Sequence, residues 1–247
     1  MRIQRIRYLD KQNRILEKKF ANELGIKTTE WKSIKSLAEL KEGVKLYGNC
    51  ILKSVSGGYD GKQQYRFKSL EDVDEKLDFS KEYVLEKFLH FKQEISVCIT
   101  RFKDGKTFVY EPTENEHEGG ILRKSKIPAE ISQSIFKKSQ DIAVKFVEKL
   151  DYVGTLNIEF MVDHQGELWF LEFCNRCHNG HWHTVNSYLV DQFTAHILSV
   201  CGLEFNKNKK ISNAIMINIL GDEIKEYRNK KFKANEFFFD YLKKEIK

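Results

Sequence analysis

Two glutamates, Glu159 and Glu172, stand on either side of a short polar turn in the segment Thr-Leu-Asn-Ile-Glu-Phe-Met-Val-Asp-His-Gln-Gly-Glu-Leu-Trp-Phe-Leu-Glu-Phe at 155–173. A two-residue loop at Gln165 and Gly166 sets His164 opposite Glu167 and fixes every other pair of the hairpin. One face then pairs Ile158 with Phe173, Phe160 with Leu171 and Val162 with Trp169, an apolar set expected to meet the core. The other face sets Glu159 opposite Glu172. Like charges opposed across strands are destabilising. A divalent cation held by carboxylate and phosphate oxygens would compensate them, as Mg²⁺ commonly does at nucleotide sites. Two solvated glutamates, or one neighbouring Lys or Arg, satisfy the same pattern.

Other residues with chemical potential flank this hairpin. Lys53 ends an apolar run and leads into Ser-Val-Ser-Gly-Gly-Tyr-Asp-Gly-Lys at 54–62. Glycines let backbone N–H groups approach a phosphate and lysines supply charge. The spacing matches neither the P-loop nor the dinucleotide fingerprint, and a flexible turn is an equal reading. Cys-Asn-Arg-Cys-His at 174–178 has the spacing of a c-type haem attachment site. Cys174, Cys177, His178, His181 and His183 could instead hold zinc, and the two thiols could form a redox pair. Arg176, His178 and Asn179 make a compact donor cluster just beyond Glu172, where Arg can hold an oxyanion and His can move a proton.

The elements that position these groups follow from periodicity. Residues 10–24 read as a helix closing at Gly25, and 130–150 as an amphipathic helix through Ile131, Ile135, Ile142, Val147 and Leu150. Strands are expected within 46–55 and at 82–89, 94–102 and 107–111, with a turn at Asp104 and Gly105. A helix at about 188–201 and a strand at about 213–220 complete the order. Helices and strands come in blocks, so the expected class is α+β. With 247 residues and 41% apolar content, the chain can build one large or two small lobes. No apolar run reaches the length of a membrane span and the start lacks a signal-peptide core, so a soluble cytoplasmic protein is expected. The net charge of +6 is concentrated after residue 205, a solvated basic end rather than a nucleic-acid patch. Five cysteines without an export signal read as reduced thiols.

Six motifs recur in order: Gly-Tyr-Asp-Gly-Lys-Gln-Gln at 58–64, the run at 84–97, Glu-Asn-Glu-His at 114–117 with Gly-Ile-Leu at 120–122, Leu-Asp-Tyr-Val-Gly at 150–154, Arg-Cys-His-Asn at 176–179, and Gln192 and Phe193 with His196. Together, over roughly 12–245, they resemble the N5-carboxyaminoimidazole ribonucleotide synthetases, ATP-grasp enzymes of purine biosynthesis. The resemblance implies an ATP-grasp fold, two lobes of antiparallel sheet flanked by helices with nucleotide between them. It also implies ATP and Mg²⁺ as cofactors, with bicarbonate and 5-aminoimidazole ribonucleotide as further substrates and carboxyphosphate as the intermediate.

Residue by residue, Lys53 and Gly58, Tyr59, Asp60, Gly61, Lys62, Gln63 and Gln64 match phosphate-covering positions. Glu86, Lys87, Phe88 and Leu89 match the adenine hinge and Glu94 the ribose acceptor, while Arg14 and His117 match further nucleotide positions. Glu159 and Glu172 match the Mg²⁺ carboxylates, and Arg176, His178 and Asn179 match positions near bicarbonate and the aminoimidazole. The expected division is a helical lead-in at 1–43, a small lobe at 44–111 and a large lobe at 112–247. A further domain before residue 1, a longer carboxy-terminal end and a homodimer are also implied. The sequence departs from the family pattern at Leu171, where the family has Asn, and in the Cys/His run.

Overall fold

The computed structural model describes residues 13–57, 64–203 and 207–221 of the chain. Helix α1 (Arg14–Glu23) begins where the Asn13 side chain accepts from the backbone N–H groups of Ile15 and Leu16. The chain then runs beside the large sheet, where Phe170 N–H donates to the Lys27 carbonyl, before entering strand β1 (Trp31–Ile34). Helix α2 (Leu37–Tyr47) starts at Ser36, whose hydroxyl accepts from Glu39 N–H. Gly43 lets that helix lie directly on the sheet, because a Cβ there would strike Leu85. Strands β2 (Cys50–Ser54), β3 (Gln64–Phe67) and β4 (Tyr83–Lys87) complete a four-stranded sheet of order β1-β4-β2-β3. Its core is Ile34, Leu40, Val44, Leu52, Phe67 and Leu85.

A connector at 88–90 carries the chain into the large sheet. That sheet holds β5 (Phe91–Arg101), β6 (Thr107–Val109), β7 (Thr113–Glu118), β8 (Ile121–Ile127), β9 (Gly154–Asp163), β10 (Leu168–Cys174) and β11 (Ala214–Ile217). The order is β10-β9-β5-β7-β8-β11, with β6 paired to β5. Helix α3 (Gln133–Leu150), capped by Ser132, lays Ile142, Phe146 and Val147 on one face of the sheet, against Ile95, Val97, Ile158 and Phe160. The alternate residues of the same strands, including Glu94, Ser96, Asn157 and Glu159, point to the other face. That polar face is the floor of the site.

The sheets divide the chain differently from the lobes expected at 44–111 and 112–247. Strand β1 of the small sheet lies within the expected lead-in, and β5 and β6 belong to the large sheet. The change of sheet falls at 88–90, because β5 is long enough to pair with β9 along its whole length. The run expected as strand from residue 46 is helical to Tyr47; a single helical turn, α4 (Thr184–Ser187), precedes the helix expected from about 188, which begins at Gln192, capped by Asp191.

The 155–173 hairpin differs in register. Asp163 N–H bonds to the Glu167 carbonyl, so the loop has three residues, with Gly166 at φ +80° closing it. Phe160 therefore pairs with Phe170, and Met161 with Trp169. A bulge at Leu171 then restores the offset, so Glu159 does pair with Glu172 and Ile158 with Phe173. Phe170 and Leu168 occupy the core in place of Leu171 and Trp169. Trp169 instead donates its indole N–H to Asp163 at 2.8 Å, and Leu171 faces the cleft.

Candidate functional site

A cleft of about 250 Å³ lies between the two sheets and gathers side chains from both. The large sheet contributes Glu94 from β5, His117 from β7, Glu159 and Met161 from β9, and Leu171 and Glu172 from β10. The small sheet contributes Ile51 and Lys53 from β2, Gln64 from β3, and Glu86 and Lys87 from β4. Phe88, Leu89 and Phe91 close it at the connector, and Arg14 and Thr29 enter from α1 and the segment that follows it. Eleven of the residues singled out from sequence thus meet in one place. Gly58, Tyr59, Asp60, Gly61, Lys62 and Gln63 lie outside the described residues.

Helix α1 presents charges at core-facing spacing and secures one carboxylate from each sheet. Arg14 holds Glu172 of β10 at 2.7 Å. Lys18, four residues on, reaches Glu86 of β4 at 3.0 Å, and Lys53 reaches the other oxygen of Glu86 at 3.2 Å. Thr29 donates to Glu86 at 3.3 Å. Burial alone would push the Glu86 carboxyl up, but the two ammonium groups more than offset it and hold it at about 2. Glu86 is therefore an anchor for Lys53. Lys18, Thr29, Ile51, Phe91 and Met161 were not singled out from sequence; Arg14, Glu17 and Lys18 at i, i+3, i+4 were the legible sign of a charged stripe facing inward.

The second carboxylate pair is less well compensated. Burial and then the Glu172 charge push Glu159 up, while burial would raise Glu172 but Arg14 holds it down. Glu17, buried beside them, is raised to about 7 by burial and by Glu172. Three carboxyls thus share one guanidinium, and although among the described residues no three of them converge as a ready metal site, the opposed pair Glu159 and Glu172 leaves negative charge that a hard divalent cation would compensate. The donor chemistry of Glu159 and Glu172 fits Mg²⁺. Glu94 is paired with His117 Nδ1 at 2.7 Å; burial would lower the imidazole, but this bond and charge raise it.

Beyond β10, His178 Nε2 lies 3.3 Å from Glu159 Oε1. Burial and then the Arg176 charge push His178 down to about 4, so it is neutral at pH 7. Arg176 is exposed and donates to the Cys177 carbonyl at 2.9 Å, and Asn179 opens the short turn Asn179–His181; neither lines the cleft. The zinc arrangement does not form. Cys174 is buried in β10, and Cys177 donates to the Gln192 carbonyl. His183 meets Thr113 at 2.9 Å and Ser187 at 3.2 Å, and among the described residues no three such side chains converge.

These titrations set a pH dependence. Glu17, Glu159 and His117 bind protons more tightly when folded, so their stabilisation is lost as pH rises. His178 and His183, both held at about 4, and the fully buried His181 act in the opposite sense. Below about pH 7.5 the two sets oppose one another, because unfolded histidine is still partly protonated there. Above it these last three histidines are neutral in both states and the raised carboxyls dominate. Stability of the ligand-free chain is expected to fall between roughly pH 7.5 and 8.5, chiefly through Glu159, which burial and Glu172 push up. Melting temperature across this range checks it, and Mg²⁺ with ADP should lessen the fall.

Two antiparallel sheets enclosing a cleft lined by lysine, arginine and paired carboxylates define an ATP-grasp domain. Residues 19–193 match that domain family, and the chain belongs to it. Within it the branch is that of the N5-carboxyaminoimidazole ribonucleotide synthases. The chain is similar to the synthase of Brucella melitensis, 36% identical over 242 residues that make up 96% of this chain and 67% of that protein. It is also similar to the ADP complex of an N5-carboxyaminoimidazole ribonucleotide synthetase, with a TM-score of 0.84 and 32% identity over 89% of this chain and 59% of that one. The Aspergillus clavatus synthase in complex with ADP and 5-aminoimidazole ribonucleotide gives a TM-score of 0.78 at 26% identity, over 88% of this chain and 58% of that one. The chain spans about two thirds of the first relative and less than three fifths of the two solved chains.

Proposed function

We propose that the chain carries out the ATP-dependent carboxylation of 5-aminoimidazole ribonucleotide by bicarbonate, through carboxyphosphate. The observation that supports this most is the opposed pair Glu159 and Glu172, sharing one cleft with Lys53, Arg14 and the Glu94–His117 pair. In this reading Glu159 and Glu172 hold Mg²⁺, which neutralises phosphate charge when bound. Lys53, held by Glu86, and Gln64 face the phosphates, and a phosphate-covering role is proposed for residues 58–63, which lie outside the described residues. Lys87, Phe88 and Leu89 border the base, and Glu94 accepts from the ribose. Arg176, His178 and Asn179 serve bicarbonate and the aminoimidazole, with His178 donating to Glu159 in its neutral form. Phosphoryl transfer of this kind depends mainly on positioning and charge neutralisation, which these residues supply. A cytoplasmic setting and a homodimer belong to the same proposal; among the described residues no helix is long and apolar enough to cross a membrane.

The test is ADP release with and without bicarbonate and 5-aminoimidazole ribonucleotide. Bicarbonate-dependent ADP formation that the ribonucleotide accelerates is the expected result. ATP binding without ADP formation would favour the second reading, a non-catalytic ATP-binding remnant. The bulge gives a further expectation: because it turns both Leu171 and Glu172 toward the cleft, Leu171→Asn places an amide oxygen beside the carboxylate pair. Mg²⁺ affinity in the presence of ADP, read by calorimetry, should rise about tenfold, in line with the effect of groups that support metal ligands.

A further inference from the structure

The motif of Gln192, Phe193 and His196 has no role in the cleft, yet Gln192 is completely buried. It is the first residue of helix α5 (Gln192–Cys201), whose first turn is fixed by Asp191 accepting from Phe193 N–H at 2.8 Å and Thr194 N–H at 3.0 Å. With the helix end fixed, the Gln192 amide turns back onto the segment after β10. Its Oε1 accepts from His178 N–H at 2.9 Å, and its Nε2 donates to the His178 carbonyl at 2.8 Å. One side chain therefore grips both backbone polar groups of one residue, as a neighbouring strand would. The Gln192 backbone is engaged as well: its N–H donates to Thr184 at 3.2 Å, and its carbonyl accepts from Thr155 at 3.2 Å and from the Cys177 thiol at 3.4 Å. Thr155 lies four residues before Glu159 on β9, and its own N–H donates to His196 Nδ1 at 3.0 Å. The start of α5 thus joins the strand that carries Glu159 to the loop that carries His178.

The His178 ring completes the chain of contacts. Its Nδ1 accepts from Gly180 N–H at 3.4 Å, which places the proton of the neutral ring on Nε2, the atom facing Glu159 Oε1 at 3.3 Å. A side chain on a loop keeps such an alignment only if the loop backbone is held.

We propose that Gln192 is a positioning residue, an amide clamp that fixes the backbone of His178 and thereby the meeting of its imidazole with Glu159. The inference rests on the reading of Glu159 and His178 as site residues, and its test separates the two. Gln192→Met keeps the volume and the three backbone contacts and removes both clamp bonds. Hydrogen exchange of the His178 amide, followed by NMR in the full chain, should rise about tenfold or more, while the core amide of Phe160 changes less than about twofold. In the ADP-release assay kcat should fall by about 10- to 100-fold, the scale of a misplaced catalytic group, with KM for ATP within about twofold. Gln192→Glu, which keeps an acceptor for the His178 N–H and loses the donor to its carbonyl, should fall between. Thr194→Ala loosens the same helix end without touching His178 and should leave both readouts near wild type.

Unchanged exchange at His178 in a folded Gln192→Met protein overturns the clamp. Raised exchange with unchanged kcat overturns the positioning role, as does an equal loss in Thr194→Ala. If His178→Ala turns over as fast as wild type, or wild type does not turn over, the proposed function fails instead, and amide exchange still decides the clamp.

Discussion

Glu172→Gln is expected to reduce Mg²⁺-dependent ATP turnover by at least about 100-fold, the scale seen when one preorganised electrostatic group is removed. The amide keeps the shape of the side chain and an acceptor for Arg14, which now holds Glu172 at 2.7 Å, so the fold should survive. What disappears is the negative charge opposite Glu159 and the second anionic oxygen donor for the cation. The same substitution has an opposite effect on the ligand-free protein. Glu172 is the charge that helps push both Glu159 and Glu17 up. Without it both carboxyls relax toward their ordinary range, and the decline in stability above about pH 7.5 should flatten. A variant that is inactive and melts no lower than wild type at pH 8 would be the signature of a functional carboxylate held against its own stability. Retained turnover with unchanged Mg²⁺ dependence would sink the assignment.

The largest effect on stability is expected at Glu86. Its carboxylate sits 3.0 Å from Lys18, 3.2 Å from Lys53 and 3.3 Å from Thr29, with Lys18 only 2% exposed. Glu86→Ala leaves two ammonium groups facing each other in a dry environment. Breaking one side of a buried ion pair in this way costs about 3–5 kcal/mol, far more than a surface pair. Urea unfolding measures it directly, and a loss below about 1 kcal/mol would show that the lysines find water or other partners. Adding Lys18→Met to Glu86→Ala should recover part of the loss, because one of the stranded charges is then gone. The effect also reaches the site, since Lys53 loses the group that fixes it at the cleft edge, and ATP affinity should fall with stability.

The main helices and the pairing of Glu159 with Glu172 were legible because both rest on short-range pattern: apolar spacing along 130–150, and a turn flanked by alternating residues. The pairing nevertheless followed from an incorrect loop. The turn holds three residues and not two, and only the bulge at Leu171 brings Glu172 back opposite Glu159. Neither the bulge nor the extra loop residue leaves a mark in hydrophobic alternation, since Trp169, Phe170 and Leu171 are all apolar. Strand β7 escaped notice for the opposite reason. Thr-Glu-Asn-Glu-His-Glu reads as a loop, yet it sits between β5 and β8, where Asn115 bonds Ser96 and Ser125 in a buried polar network. Helix α2 carried an N-terminal signal, Ser36 with Glu39 three residues on. The ion triad around Glu86 needed tertiary structure, because Lys18, Lys53 and Glu86 come from three distant segments.

The two one-residue offsets in the β9–β10 hairpin have a consequence for how this segment can vary in length. Exposed turns are ordinarily where chains tolerate insertions and deletions. Here each of the two extra residues can be lost without moving the carboxylate pair: a two-residue tip still leaves Asp163 opposite Glu167, and a strand lacking Leu171 still sets Glu172 opposite Glu159. A deletion within 168–170 while the bulge stays would instead turn Glu172 toward α3 and Phe173 into the cleft. The hairpin therefore tolerates a change of length at its exposed tip and at its bulge, and is constrained in the short paired stretch between them.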